Sequence, residues 1–158
     1  MTDVAYWSVW VSAARDAPDE SGVRMHAHTL FDAGVSVAQR SVDGAFAVSV
    51  HLPGESQADL VRGRSILRAD APGYVAAAER SVEAMGGAGM DVLLARATRV
   101  WCWDAHGVGP HARRYTRAAA VLAGACAMSE LAAVRLPDGT RLVGLRGVRA
   151  YLDALSAG

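Results

Sequence analysis

Lysine is absent from this sequence of 158 residues, cysteine occurs twice, and no apolar run reaches the length of a membrane span. Each absence closes a class of function. A P-loop needs a lysine to reach the phosphates, so none can be built here; all 16 basic residues are arginine, a bias that reads as GC-rich codon usage. The two cysteines, Cys102 and Cys126, are too few for a disulfide framework. The longest strongly apolar stretch, Ala118 to Ala127, falls far short of the ~20 residues that cross a bilayer, so no membrane partner is expected. The chain opens on a strand-like run instead of a basic segment followed by an apolar signal core, which sets the expectation of a cytoplasmic protein.

What is present suffices for a core. Hydrophobic residues make up 52% of the chain, enough for one domain of this length to close without staples. Overall charge is zero, yet residues 1–98 carry 8 Arg against 12 acids and residues 99–158 carry 8 Arg against 4. The basic C-terminal part therefore faces either an anionic partner or the acidic remainder of the same molecule.

Residues 4–13 alternate at period two, with Trp7, Val9 and Val11 on one face and Tyr6, Ser8 and Trp10 on the other, as in a half-buried strand. Ser21 can cap a helix carrying Val23, Ala27, Leu30 and Phe31 that Gly34 would close. Asp43-Gly44 between residues 35–42 and 45–52 is a hairpin signal, with Phe46, Val48, Val50 and Leu52 facing the core. Residues 56–71 read as a helix weakened by Gly63. Pro72 breaks it, and a second helix runs on through Val75, Ala78, Val82 and Met85 to the glycines at 86, 87 and 89. Residues 92–103 read as one long strand.

That order, βαββαβ, predicts a ferredoxin-like α/β (α+β) sandwich over residues 1–103. Residues 104–158 then form a basic helix-hairpin-helix extension packed on it. The extension opens near Pro110, turns at Pro137-Asp138-Gly139 and ends in a helix with Val148, Tyr151, Leu152 and Leu155. Over the last sixth of the chain, Ala133-Val134-Arg135-Leu136 through Arg149-Ala150-Tyr151-Leu152 resembles the wing and last helix of small excisionase-like DNA-binding domains. Residues 116–134 are too few for the two helices of a helix-turn-helix, so the resemblance is not extended to the whole motif.

Five groups of residues could carry chemistry. Cys102, Asp104, His106 and His111 are all competent zinc ligands between a strand end and a helix start, although their spacing matches no specific metal motif. Gly107 and Gly109, with Arg113 and Arg114 just beyond, could hold an anion at a helix N-terminus. Arg113, Arg117, Arg135, Arg141 and Arg149 could contact nucleic acid, with the salt dependence that phosphate contacts bring. Tyr6, Trp10, Trp101 and Trp103 lie on the two strands most distant in sequence and could offer an aromatic interface on an open sheet face. A fifth group, His26 and His28 with Asp32, puts only His28 and Asp32 on one helix face, and a metal would need His51 or another residue as well.

No catalytic constellation emerges, and no cofactor is implied beyond possible zinc. The sequence reads as a non-enzymatic binding or assembly module that acts through an open sheet face, as a homo-oligomer or with a protein partner. A nucleic-acid-associated protein using the C-terminal arginines is the first alternative. A small metal-dependent or phosphate-binding enzyme centred on residues 102–114 is the second.

Overall fold

The computed structural model describes residues 5–12, 17–40, 43–85, 89–139 and 141–157. The chain runs β1 (Tyr6–Val11), α1 (Glu20–Phe31), β2 (Gly34–Arg40), β3 (Ala45–His51), β4 (Asp59–Leu67), a 3-10 turn (Arg68–Asp70), α2 (Pro72–Met85), α3 (Met90–Arg96) and β5 (Arg99–Asp104). Then follow α4 (Ala112–Glu130), β6 (Ala133–Arg135), β7 (Leu142–Val143) and α5 (Leu145–Ala157). Among the described residues the strands form one antiparallel sheet of seven in the order β2-β3-β4-β5-β1-β6-β7.

The mixed α/β class stands, but this order is not that of a ferredoxin-like sandwich. The difference begins at residues 56–71, where a strand replaces the expected helix. From Val61 to Ser65 the chain alternates buried Val61, Gly63 and Ser65 with exposed Arg62 and Arg64, which is the period of a strand. Gly63, taken as a helix weakness, sits directly between Phe46 of β3 and Trp103 of β5. β2, β3 and β4 thereby become a meander. A second difference lies at residues 92–103, where the first part is the helix α3 and only Arg99–Asp104 is strand.

Helix α1 starts on Asp19, whose carboxylate accepts from the Gly22 amide at 3.4 Å, instead of on Ser21. It ends on Asp32, not on Gly34: Asp32 takes the left-handed conformation at φ 54°, and its amide and that of Ala33 close on the His28 and Ala27 carbonyls. Helices α1, α4 and α5 cover one sheet face, burying Trp7, Val9, Phe46, Val48, Val50, Trp101 and Trp103. On the other face α2 and α3 pack on β1, β6 and β7, around Trp10, Val100, Ala133 and Leu142. The exposed Ser36, Ala38, His51, Leu60, Arg62 and Arg64 mark the part of that second face left open.

Residues 104–158 are built into the same sheet. β6 pairs with β1, so that β5-α4-β6 brackets β1, and α4 packs against β1, β3 and β4. No described helix is long and apolar enough to cross a membrane.

Candidate functional site

Strand alternation decides where the sequence candidates go. From β5, Trp101 and Trp103 point into the main core, while Cys102 and Asp104 point to the α2 side. There Cys102 lies opposite Arg64 on one neighbouring strand and Ser8 on the other. Its thiol is 3.7 Å from the Tyr74 hydroxyl and 3.8 Å from the Arg64 carbonyl. Tyr74, in the first turn of α2, meets Tyr6 edge to face at 5.2 Å, and the Arg135 guanidinium lies over the Tyr6 ring, 5.6 Å from its centre.

These side chains frame a cleft of about 350 Å³ lined by Tyr6, Arg62, Gly63, Arg64, Tyr74, Cys102, Trp103 and Asp104. A second cleft of about 370 Å³ shares Arg62 and Asp104 with it and continues along Asp59, Leu60, His106, Gly107, Val108, His111 and Tyr115. The larger opening in the protein, about 680 Å³, lies elsewhere between Leu67, Pro72, Val75, Ala76 and Ala97 and is mostly apolar. Its Arg68 is committed to the fold, donating to the Leu94 and Ala97 carbonyls and stacking 5.9 Å from Trp10.

Electrostatics in the paired clefts follow from burial. Desolvation, helped by the hydrogen bond with Cys102, pushes the Tyr74 phenol up to about 12. The Cys102 thiol is also raised by burial, with Tyr74 and Arg64 offsetting part of the effect, so it stays protonated at neutral pH. Tyr115 is pushed up to about 12 by burial and by Asp104 and Asp59, and its hydroxyl donates to the Asp104 carbonyl at 2.9 Å. Arg62 and Arg64 are exposed and form no ion pair with the described residues.

The expected metal set does not close. Asp104, His106 and His111 line one cleft, but Cys102 is turned under α2, and among the described residues no group of three or more His, Cys, Asp or Glu side chains is placed to hold a metal ion. His26 and His28 stay on α1 while His51 on β3 contacts the Glu55 carbonyl.

The expected anion site is likewise taken up by structure. A Cβ on Gly107 would lie 2.7 Å from Cβ of Tyr115 and 3.0 Å from Cα of Ala112, so glycine is needed there to seat the loop on α4. Gly109 has φ +81°, a conformation that favours glycine. Arg114 is bound by Asp59 through two contacts of 2.6 and 3.3 Å, both side chains being 14% exposed or less, and Asp59 holds its guanidinium further into the charged range. Arg113 is exposed at the start of α4.

The C-terminal arginines do not converge on one surface. Arg135 stacks on Tyr6 on the α2 side, and Arg149 lies 6.0 Å from Phe31 on the opposite, α1 side. Arg117 is half-buried on α4 and Arg141 is exposed beside β7. The aromatic interface is also corrected: Trp10, Trp101 and Trp103 are 3% exposed or less, and the Trp103 indole donates to the Ala119 carbonyl at 3.2 Å. Of that group, Tyr6 and the nearly buried Trp103 line a cleft. Sequence reasoning missed Arg62, Arg64 and Tyr74, although the alternation around Gly63 was the available signal for the first two. The chain matches no protein-family model, no curated protein and no solved structure.

Proposed function

We propose that this protein is a binding module and that it takes an anionic partner on the open part of its sheet, at the clefts around Arg62 and Arg64. The observation that carries this reading is the pair of exposed guanidinium groups on alternate residues of β4, on the face that α2 and α3 leave free, with no carboxylate bound to either among the described residues. Other arginines near this sheet are bound or stacked within the fold, as Arg114 on Asp59, Arg68 on Trp10 and Arg135 on Tyr6 illustrate. Guanidinium forks suit carboxylates and phosphates because they donate in a plane and keep their charge at all accessible pH. Tyr6 and Tyr74 add an aromatic wall beside them.

Retention on an immobilised polyanion at low salt tests the assignment. Arg62→Gln with Arg64→Gln is expected to abolish retention, or to lower the salt slope of binding by about 1–2 for two lost phosphate contacts. Arg113→Gln, Arg141→Gln and Arg149→Gln together are expected to change it little. The reverse pattern would move the binding surface to the C-terminal arginines and refute the assignment to the sheet face.

A further inference from the structure

Among the described residues β2 is an end strand of the sheet, and its outer edge is the longer of the two, because the other end strand, β7, is only Leu142–Val143. An edge strand directs the amide and carbonyl of alternate residues away from its neighbour, and these unpaired groups invite another strand. At this edge the groups are the amides and carbonyls of Val35 and Val37, and α1 takes one of each kind. The Val37 amide donates to Oε2 of Glu20 at 2.7 Å, and Nε of Arg24 donates to the Val35 carbonyl at 3.3 Å. Glu20 and Arg24 are themselves paired at 3.0 Å, one helical turn apart. Four groups thus form a closed clasp across the strand edge.

We propose that the β2 edge is a self-association surface that the Glu20–Arg24 clasp holds shut, and that its partner, when the clasp is withdrawn, is the β2 edge of a second copy of this chain. The argument for a second copy is the complementarity of the groups the clasp covers. A two-fold axis through Ser36 sets Val35 of one copy opposite Val37 of the other. The Val37 amide then meets the Val35 carbonyl of its counterpart, and symmetry repeats the bond. The donor and acceptor that α1 satisfies are therefore among those that an antiparallel copy would satisfy. Ser36 and Ala38, small and exposed, put no bulky side chain in the way. The register irregularity between Val37 and Gln39 confines the new ladder to the residues before it, so the association is weak and concentration-dependent.

The test is the mass in solution by light scattering, with far-ultraviolet circular dichroism confirming that each variant is folded. Unaltered protein is expected at 16.5 kDa, and Glu20→Ala and Arg24→Ala are each expected to move toward twice that mass as concentration rises. Glu20→Gln, which keeps an acceptor for the Val37 amide, is expected to behave as the unaltered chain. Adding Val37→Pro to Glu20→Ala removes the outward amide and is expected to restore the monomer. Where that double variant does not fold, exchange of the Val37 amide in Glu20→Ala replaces it: fast exchange when dilute and protection when concentrated support the proposal. Folded Glu20→Ala and Arg24→Ala proteins that remain at 16.5 kDa throughout would overturn it, as would a Val37 amide in Glu20→Ala that stays unprotected at high concentration. An unaltered chain already paired through β2 would overturn it equally.

Discussion

Gly63 offers the sharpest test of how the sheet is assembled, because two effects of a single methyl group oppose each other there. Alanine in a strand interior ordinarily gains about 0.5–1 kcal/mol over glycine, since less chain entropy is lost on folding. Here the new Cβ would stand 2.5 Å from Cζ and 2.6 Å from Cε1 of Phe46, and 3.0 Å from the Cys102 carbonyl oxygen. Carbon atoms pack at about 3.5–4.0 Å, so the ring must retreat by roughly 1 Å. It has little room to do so, being set edge to face against Trp101 and Trp103 at 6.4 Å each. Overpacking of this kind costs about 1–3 kcal/mol, which outweighs the entropic gain. Gly63→Ala is therefore expected to lose about 0.5–2 kcal/mol, or about 1–8 °C in Tm for a domain of this size. Urea unfolding followed by tryptophan fluorescence measures it, with the slope unchanged if only native packing is affected. Phe46→Leu removes the clashing ring atoms and should cost about 1–3 kcal/mol on its own by leaving space behind. The double variant is expected to be at least about 1 kcal/mol more stable than the sum of the two losses, since contacting residues couple. Additivity within about 0.5 kcal/mol, or a stabilising Gly63→Ala, would refute the steric account of this glycine.

Leu131 caps α4 in the left-handed conformation at φ 50° and is 72% exposed, so Leu131→Gly relieves about 1–2 kcal/mol of backbone strain against about 0.5–1 kcal/mol of added chain entropy. A rise of roughly 1–4 °C in Tm by calorimetry is expected, and a fall would show that the leucine side chain contributes packing. Asp59→Asn leaves the Arg114 guanidinium without its bidentate partner, so it should lower Tm more than the double change with Arg114→Gln does. Tyr74 and Tyr115 are each raised from 10.0 to about 12, so below pH 10 both states hold these protons and stability is unaffected; between about 10 and 12 the unfolded chain releases them first and stability falls as pH rises. Denaturant titrations across that window check the sign, and Tyr74→Phe should flatten the slope. Cys126 is fully buried and raised, and Cys102 is raised and 8% exposed, so a thiol reagent is expected to label both at the rate of unfolding.

Most elements are written locally. β1, α1, the β2–β3 pair, α2, α4, the β6–β7 pair and α5 all follow from period and punctuation, because an apolar period runs through each and turn or cap residues bound it, even where, as in β1 and α4, both sides are buried. β4 and α3 do not. In β4 the buried positions are held by Val61, Gly63 and Ser65, and the reason a glycine is tolerated mid-strand is an aromatic ring contributed by Phe46, which no local window contains. Missing β4 changed the topology, and with it the site: Arg62 and Arg64 reach the open face only once residues 59–67 are a strand. The polar loop from Asp104 to His111 was found, but its residues serve the loop's own packing through Gly107 and Tyr115 as much as the cleft.

The apolar half of the composition goes mostly into two covered sheet faces and one enclosed helix, not into an open aromatic face. Ala118 to Ala127 of α4 are all buried, on every side of the helix, because the sheet, α1 and α5 surround it. Such enclosure needs small side chains. A Cβ on Gly124 would stand 2.6 Å from the Phe31 ring, so α1 can lie against α4 only where glycine permits it, and alanine on the other faces lets the sheet and α5 come equally near. A second core around Trp10 under α2 and α3 consumes the remainder. With both sheet faces drawing on the apolar residues, what is left at the open end of the second face is mainly polar, Arg62 and Arg64 among Ser36, Ala38, Ser49 and His51 with the single leucine Leu60. One leucine offers little apolar contact, so the proposed anionic ligand suits that surface better than an oily one would; Gly124→Leu, by forcing α1 outward, should disturb the β2 edge through Glu20 and Arg24 while leaving Arg62 and Arg64 in place.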